Sequence, residues 1–190
     1  MSGLTPPGPP IGQPPPAGIE LPSVSEDDLG ERVRDSVNDA LIVLAWSVSL
    51  ALVAASVWWR VTPLAEYTRT AENGSMGEQQ LARQVNADGW FFVVALVAGL
   101  ITGFVLVFWR RRDPLAMVIL VTLGAILSTW VMVEIGLVLG PPDPADVLPK
   151  ASVGETVPLQ LKVQATGVYA SWGVGALLGA LAAIWGTERR

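Results

Sequence analysis

The sequence predicts an all-α membrane protein: a four-transmembrane-helix bundle with a disordered, proline-rich N-terminal tail. Three observations carry that prediction. Four long apolar runs, Ala40–Trp59, Trp90–Trp109, Leu115–Leu139 and Val168–Gly186, are each long enough to cross a hydrocarbon core of about 30 Å at about 1.5 Å per helical residue. Inside those runs the only formal charge is Glu134. The segments between them are polar or rich in Pro and Gly, as connections are.

With roughly 85 of the 190 residues committed to spans, no room remains for a large soluble domain. The chain has neither histidine nor cysteine. That excludes Cys/His zinc sites, haem held by His or Cys, disulfides and Cys or His nucleophiles, and no cofactor is expected. The net charge of −5 argues against a nucleic-acid partner and against polybasic lipid binding. No basic n-region precedes an early apolar run, so no cleavable signal peptide is expected. No lipidation motif is present either, since residue 2 is serine.

Residues 1–23 contain eight prolines, including Pro6-Pro7, Pro9-Pro10 and Pro14-Pro15-Pro16. Such a segment cannot bury a core and is expected to be a disordered cytoplasmic tail of polyproline II character. Its spacing also permits docking to an aromatic groove. Over 24–39, Ser25 followed by Glu26, Asp27 and Asp28 reads as a helix start. Leu29, Val33, Val37 and Ala40 recur at helical spacing, which predicts an acidic amphipathic helix running into span one (40–59).

The connections differ. Residues 60–89 read as a polar loop with a turn at Asn73-Gly74 and a turn or two of helix within Gly77–Val85. Residues 110–114 are a tight basic turn between span two (90–109) and span three (115–139). Residues 140–167 open on Gly140-Pro141-Pro142-Asp143-Pro144; within them Val157, Leu159, Leu161 and Val163 alternate with polar residues. Alternation favours a strand over 156–164, although Pro158 also suits the first turn of a helix leading into span four (168–186).

The triplet Arg110, Arg111 and Arg112 abuts two span ends, so it is expected on the cytoplasmic side. Four spans then put both termini there, with the short tail 187–190. The cytoplasmic side holds seven Lys/Arg and the outside five. Trp58, Trp59, Trp90, Tyr169 and Trp172 are expected as anchors at the outer interface, and Trp109 and Trp185 at the inner one. Trp46 and Trp130 sit deeper and are expected to pack.

Small residues recur every four positions: Ser47, Ala51 and Ala55; Ala95, Gly99 and Gly103; Gly124 and Ser128; Ser171, Gly175, Gly179 and Ala183. Each set lies on one helix face and lets backbones approach closely. These stripes predict packing within the bundle, or docking of a partner or second copy by span four. Glu134 is the candidate functional or structural carboxylate. At its depth a charge costs roughly 2–3 kcal/mol on the lenient insertion scale. It is therefore expected to face the bundle interior, pair with Arg60 or Lys162, or carry a proton. No GxSxG, P-loop, HExxH or paired intramembrane aspartates occur, and no enzyme is expected.

Asp88-Gly89-Trp90-Phe91-Phe92 entering span two, Trp109-Arg110-Arg111-Arg112-Asp113-Pro114 at the inner turn and Leu159-Gln160-Leu161-Lys162 before span four carry a likeness. Through them Asp88–Pro142 and Leu159–Gly186 resemble a family of small actinobacterial four-span membrane proteins of unknown function. The resemblance covers about half of the chain. It implies a cell-membrane location and supplies neither an activity nor site residues. The acidic juxtamembrane stretch and Glu134 fall outside the family pattern.

Together these features point to a non-enzymatic membrane protein acting through protein contacts, such as an accessory subunit of an envelope or respiratory complex. The alternative is a small oligomeric transporter or channel component using Glu134. The expected partners are the lipid bilayer and either other proteins or further copies of the chain. No small-molecule substrate and no nucleic acid are indicated.

Overall fold

The computed structural model describes residues 26–72, 74–109 and 114–188. The proline-rich head, Ser25, Asn73, the Arg110–Arg112 triplet and Arg189-Arg190 lie outside the described residues. The chain divides into two compact units, 1–37 and 38–190. In the first, the chain is helical from Glu26, where α1 (Glu26–Val61) begins. The acidic first turn favours a helix start. Val33 and Val37 of the apolar stripe are exposed.

The second unit holds the rest of α1, then β1 (Glu66–Arg69), β2 (Gly74–Ser75), α2 (Glu78–Trp109), α3 (Pro114–Leu139), α4 (Pro144–Val147), β3 (Thr156–Pro158) and α5 (Ser171–Glu188). Among the described residues four helices are long and apolar enough to cross a membrane: those containing Val33–Val61, Glu78–Trp109, Met117–Lys150 and Thr166–Gly186. The helical turns expected within Gly77–Val85 are continuous with span two, so α2 starts three turns before Trp90.

The small-residue stripes decide how the helices meet. A Cβ on Gly99 would strike the Trp172 carbonyl, and one on Gly103 the Ala176 carbonyl. Reciprocally, a Cβ on Gly175 would strike the Leu96 carbonyl and one on Gly179 the Leu100 carbonyl. The two glycine pairs therefore interlock α2 with α5, backbone on backbone. Ala95, Ser171 and Ala183 extend the seam and are buried. With little hydrophobic drive between helices in lipid, such close packing is what holds spans together. The glycines of the span-four stripe, Gly175 and Gly179, are thus packed against α2.

A second seam joins α1 to α3. Ser47, Ala51 and Ala55 are fully buried. A Cβ on Gly124 would meet Ser47 Oγ at 2.6 Å and Val43 at 3.2 Å. The Ser128 hydroxyl donates to the Ser47 carbonyl at 3.2 Å. Nearer the other end, Gly136 makes room for the Trp58 ring.

Trp58 and Trp172, expected as interface anchors, are instead fully buried. Trp58 packs edge-on against Phe91, with ring centroids 5.1 Å apart, and its indole N–H donates to the Ala87 carbonyl at 3.1 Å. An indole that reaches a backbone acceptor loses its reason to stay wet. Trp109 and Trp185 remain exposed, and Trp90 and Tyr169 partly so. Trp46 packs against the core as expected. Trp130 does not: it is 61% exposed.

The all-α expectation needs a second correction at the end of the bundle where the two longer connections meet. There β1 pairs antiparallel with β2 and with β3, in the order β2-β1-β3. Glu66 faces Pro158, Tyr67 faces Val157 and Thr68 faces Thr156. Of the stretch 156–164, Thr156–Pro158 forms the strand, and the Leu159 amide still donates to the Ala65 carbonyl at 2.7 Å. Its alternation persists in burial: Val157, Leu161 and Val163 are buried, while Lys162 and Gln164 are exposed. Pro158 ends a strand and opens no helix. Residues Thr166–Ala170 form a 3-10 turn that leads into α5.

Candidate functional site

Two places gather the chemistry of the second unit: the cap built by the connections, and the outward face of α3.

The cap is clamped to the bundle by Asp88. This residue lies in α2, two positions before Trp90, and is 8% exposed. Its carboxylate accepts from the amides of Gln164 and Ala165, one per oxygen, each at 2.9 Å. Charge-assisted bonds to backbone N–H groups are among the stronger ones. They fix the segment that feeds the 3-10 turn and α5. Leu161 and Val163 plug the bundle end below it, with Leu161 Cβ so close to Gly140 that a Cβ there would lie at 2.9 Å. The sequence reading passed over Asp88, and a carboxylate directly before Gly89-Trp90-Phe91 was the available signal.

Exchanging Asp88 for Asn should destabilise the cap by about 1–3 kcal/mol, since an amide NH2 then opposes a part-buried backbone donor. Limited proteolysis should show cleavage in 159–165 at a protease dose the parent chain resists.

On its polar side the cap holds an open cleft of about 570 Å³, lined among others by Tyr67, Gln84, Asp143, Gln160, Lys162 and Gln164. The alternation along 157–164 sends Gln160, Lys162 and Gln164 to this side while Leu161 and Val163 face the bundle. Asp143 accepts from the Ala145 amide at 2.8 Å and starts α4. The cleft offers amide, phenol, ammonium and carboxylate groups for hydrogen bonding. Lys162, named from sequence as a partner of Glu134, lines the cleft. Among the described residues no group of three or more His, Cys, Asp or Glu could hold a metal ion.

The α3 face is set by the helix period. Gly124, Ser128, Met132 and Gly136 are buried at four-residue spacing. Positions two residues on lie about 200° around the helix, and those are Ile126, Trp130, Glu134 and Val138, all exposed. The expectation that Glu134 faces the bundle interior is therefore not met. Among the described residues no hydrogen bond or ion pair involves Glu134. Arg60, its expected partner, is exposed and lies over the Trp59 ring, 5.1 Å from the centroid.

Comparison with protein-family models, with curated proteins and with solved structures found no match. The resemblance to the four-span family accordingly rests on the motifs that suggest it.

Several other hydroxyls within the candidate spans are locally satisfied, whereas Trp46 Nε1, Ser47 Oγ and Trp172 Nε1 are buried with no hydrogen-bond partner among the described residues. Thr102 donates to the Ala98 carbonyl at 2.9 Å, Thr129 to Ala125 at 2.9 Å, and Ser171 to Val168 at 2.6 Å. Even the exposed hydroxyls of Ser56 and Thr122 donate to the carbonyls four residues back, at 2.8 and 2.7 Å. Glu134 and Trp130 lie one turn from each other on the same exposed face.

Proposed function

We propose that this is a non-enzymatic integral membrane protein that acts through protein–protein contacts, as an accessory subunit of a larger envelope or respiratory complex in the cell membrane. Both termini are cytoplasmic in this proposal, on the strength of the Arg110–Arg112 turn, and the cap faces outward. The observation that supports a subunit role is Glu134. A carboxylate on the outward face of a span, about 9 Å below the helix end at the standard rise, meets hydrocarbon in an isolated chain. Intramembrane ionisable groups almost always face protein or a water-filled cavity. Trp130 on the same strip, with an N–H to satisfy at mid-span, asks for the same cover. A transport role within a single copy loses support, because Glu134 points away from its own bundle.

Replacing Glu134 with Gln tests this. The tagged parent chain and the variant are extracted from native membranes in mild detergent, and co-purifying proteins are quantified by mass spectrometry. The parent should bring down partner chains in fixed ratio, and the variant about tenfold less of them. The variant's melting temperature should stay within about 1 °C of the parent, because Glu134 has no partner within the described chain to lose. Equal recovery from both would remove the support that Glu134 gives to a subunit role.

A further inference from the structure

The chain that leads from β3 to the 3-10 turn before α5 is pinned at both ends and bare between them. At one end the Leu159 amide donates to the Ala65 carbonyl at 2.7 Å. At the other the amides of Gln164 and Ala165 donate to the Asp88 carboxylate at 2.9 Å each. Between these pins, among the described residues, no hydrogen bond involves the backbone of Gln160, Leu161, Lys162 or Val163. Leu161 and Val163 are buried and Lys162 between them is exposed, the alternation of an extended run. In an extended chain the backbone groups of successive residues turn to opposite sides. Leu159 turns its amide toward the chain entering β1, so Gln160 and Lys162 turn theirs away from it. A donor and an acceptor recur on that side every two residues, as on the open edge of a sheet. The side chains beside this run are equally unengaged. Gln160, Lys162 and Gln164 line the cleft of about 570 Å³ with Tyr67 and Gln84, and none of these five side chains makes a hydrogen bond or ion pair among the described residues. Asp143, the other charged residue lining the cleft, already accepts from the Ala145 amide.

We propose that residues 160–163 are a docking edge for an extended peptide segment of a partner protein, which adds as a strand alongside them and sets a carboxylate against Lys162. This rests on the protein-contact role proposed above and gives it a second surface, on the cap rather than on α3. In strand addition, backbone pairing supplies the affinity and alternate side chains the selectivity. The groups of Gln160 and Lys162, two residues apart, match the repeat of any peptide in the extended state. A compact anion meets Lys162 alone and leaves the backbone row unmatched, so the row favours a peptide. The pins at Leu159 and at Gln164 and Ala165 hold the run in its binding shape, so the partner does not bear the cost of ordering it. Lys162 selects the carboxylate, and the three glutamine amides, each able to donate and to accept, suit polar side chains around it.

Selection from a random library tests this. The probe is a bead-bound library of blocked heptapeptides, randomised at every position and offered to the full chain in lipid nanodiscs. Bound peptides should share an acidic residue at one fixed position. In a selected peptide, N-methylation of one alternate set of backbone nitrogens should weaken binding by about tenfold, and of the intervening set much less, since only every second residue faces the edge. Lys162→Glu should weaken binding by about tenfold or more, because like charges then meet, and Lys162→Arg should retain it. The amide resonances of Gln160 and Lys162 should shift on binding and gain protection from hydrogen exchange. Both variants should melt with the parent, because Lys162 is exposed and has no partner among the described residues to lose, which separates lost docking from lost folding. A library that yields no binder overturns the proposal, as do peptides whose binding ignores Lys162 or treats both methylation patterns alike. The probe meets the isolated chain at the cap, so a failure here leaves the Glu134 co-purification test untouched, and a failure there leaves the docking edge standing.

Discussion

Replacing Gly103 with Leu should unfold the α2–α5 pair. A side chain at this position has no void to enter, since even its Cβ would lie inside the Ala176 carbonyl group. The obstacle is backbone, which cannot rotate aside as a flexible side chain can. The helices must separate along the seam, and the reciprocal contacts of Gly99, Gly175 and Gly179 are lost with the first. We expect a cost on the order of 3 kcal/mol or more, at or above the upper end for overpacked sites. Gly173 supplies the control on the same helix: a Cβ there meets nothing within 4 Å. Gly173→Ala should be neutral or slightly stabilising, because alanine is favoured over glycine in a helix by up to about 1 kcal/mol. Thermal unfolding in one detergent, followed by circular dichroism, compares the two. Equal melting temperatures for both variants would refute the interlocked seam.

The second large effect belongs to Trp58. Its ring is fully buried, fills the space left by Gly136 and stacks edge-on against Phe91. Truncation to Ala leaves a cavity where α1, α2 and α3 meet and should cost about 3–5 kcal/mol. Trp58→Phe keeps most of the volume and loses the bond to the Ala87 carbonyl. It should cost about 1 kcal/mol beyond any packing change. A ranking of parent, Phe and Ala in that order by melting temperature is the expected outcome. A mere interface anchor, as the sequence suggested, would leave Trp58→Ala nearly as stable as the parent.

That contrast shows what the sequence holds and what it hides. The number of long apolar helices and the packing stripes were legible because length, apolar composition and four-residue spacing are local properties. The partner of each stripe was not, since four stripes of small residues look alike until the fold pairs them. Spans that are apolar all round carry no hydrophobic stripe to reveal which face turns inward, so Trp58 and Trp172 passed for anchors. For Glu134 a signal did exist. Gly124 and Ser128 mark the inward face of α3, and Glu134, six residues beyond Ser128, lies about 120° around the helix from it at about 100° per residue, off that face. The cap was hidden for a different reason. Its sheet joins β1 to β3 across nearly ninety residues of sequence, and alternation over 156–164 predicts a strand without saying where its neighbour ends. Asp88 escaped notice because its partners are backbone amides of 164 and 165, which carry no sequence signature.

The central claim is that protein, not lipid, covers the outward face of α3, and accessibility measures that directly. The chain has no cysteine, so a single one reports only its own position. Cysteines placed at Ile126 and Val138 on that face, and at Leu181 on the exposed face of α5, are labelled in native membranes with a lipid-phase thiol reagent. We expect positions 126 and 138 to react at least tenfold more slowly than 181 in membranes, and at a similar rate once the protein is dispersed as single copies in detergent. Labelling at 126 and 138 as fast as at 181 in native membranes would show the α3 face open to lipid and contradict the account.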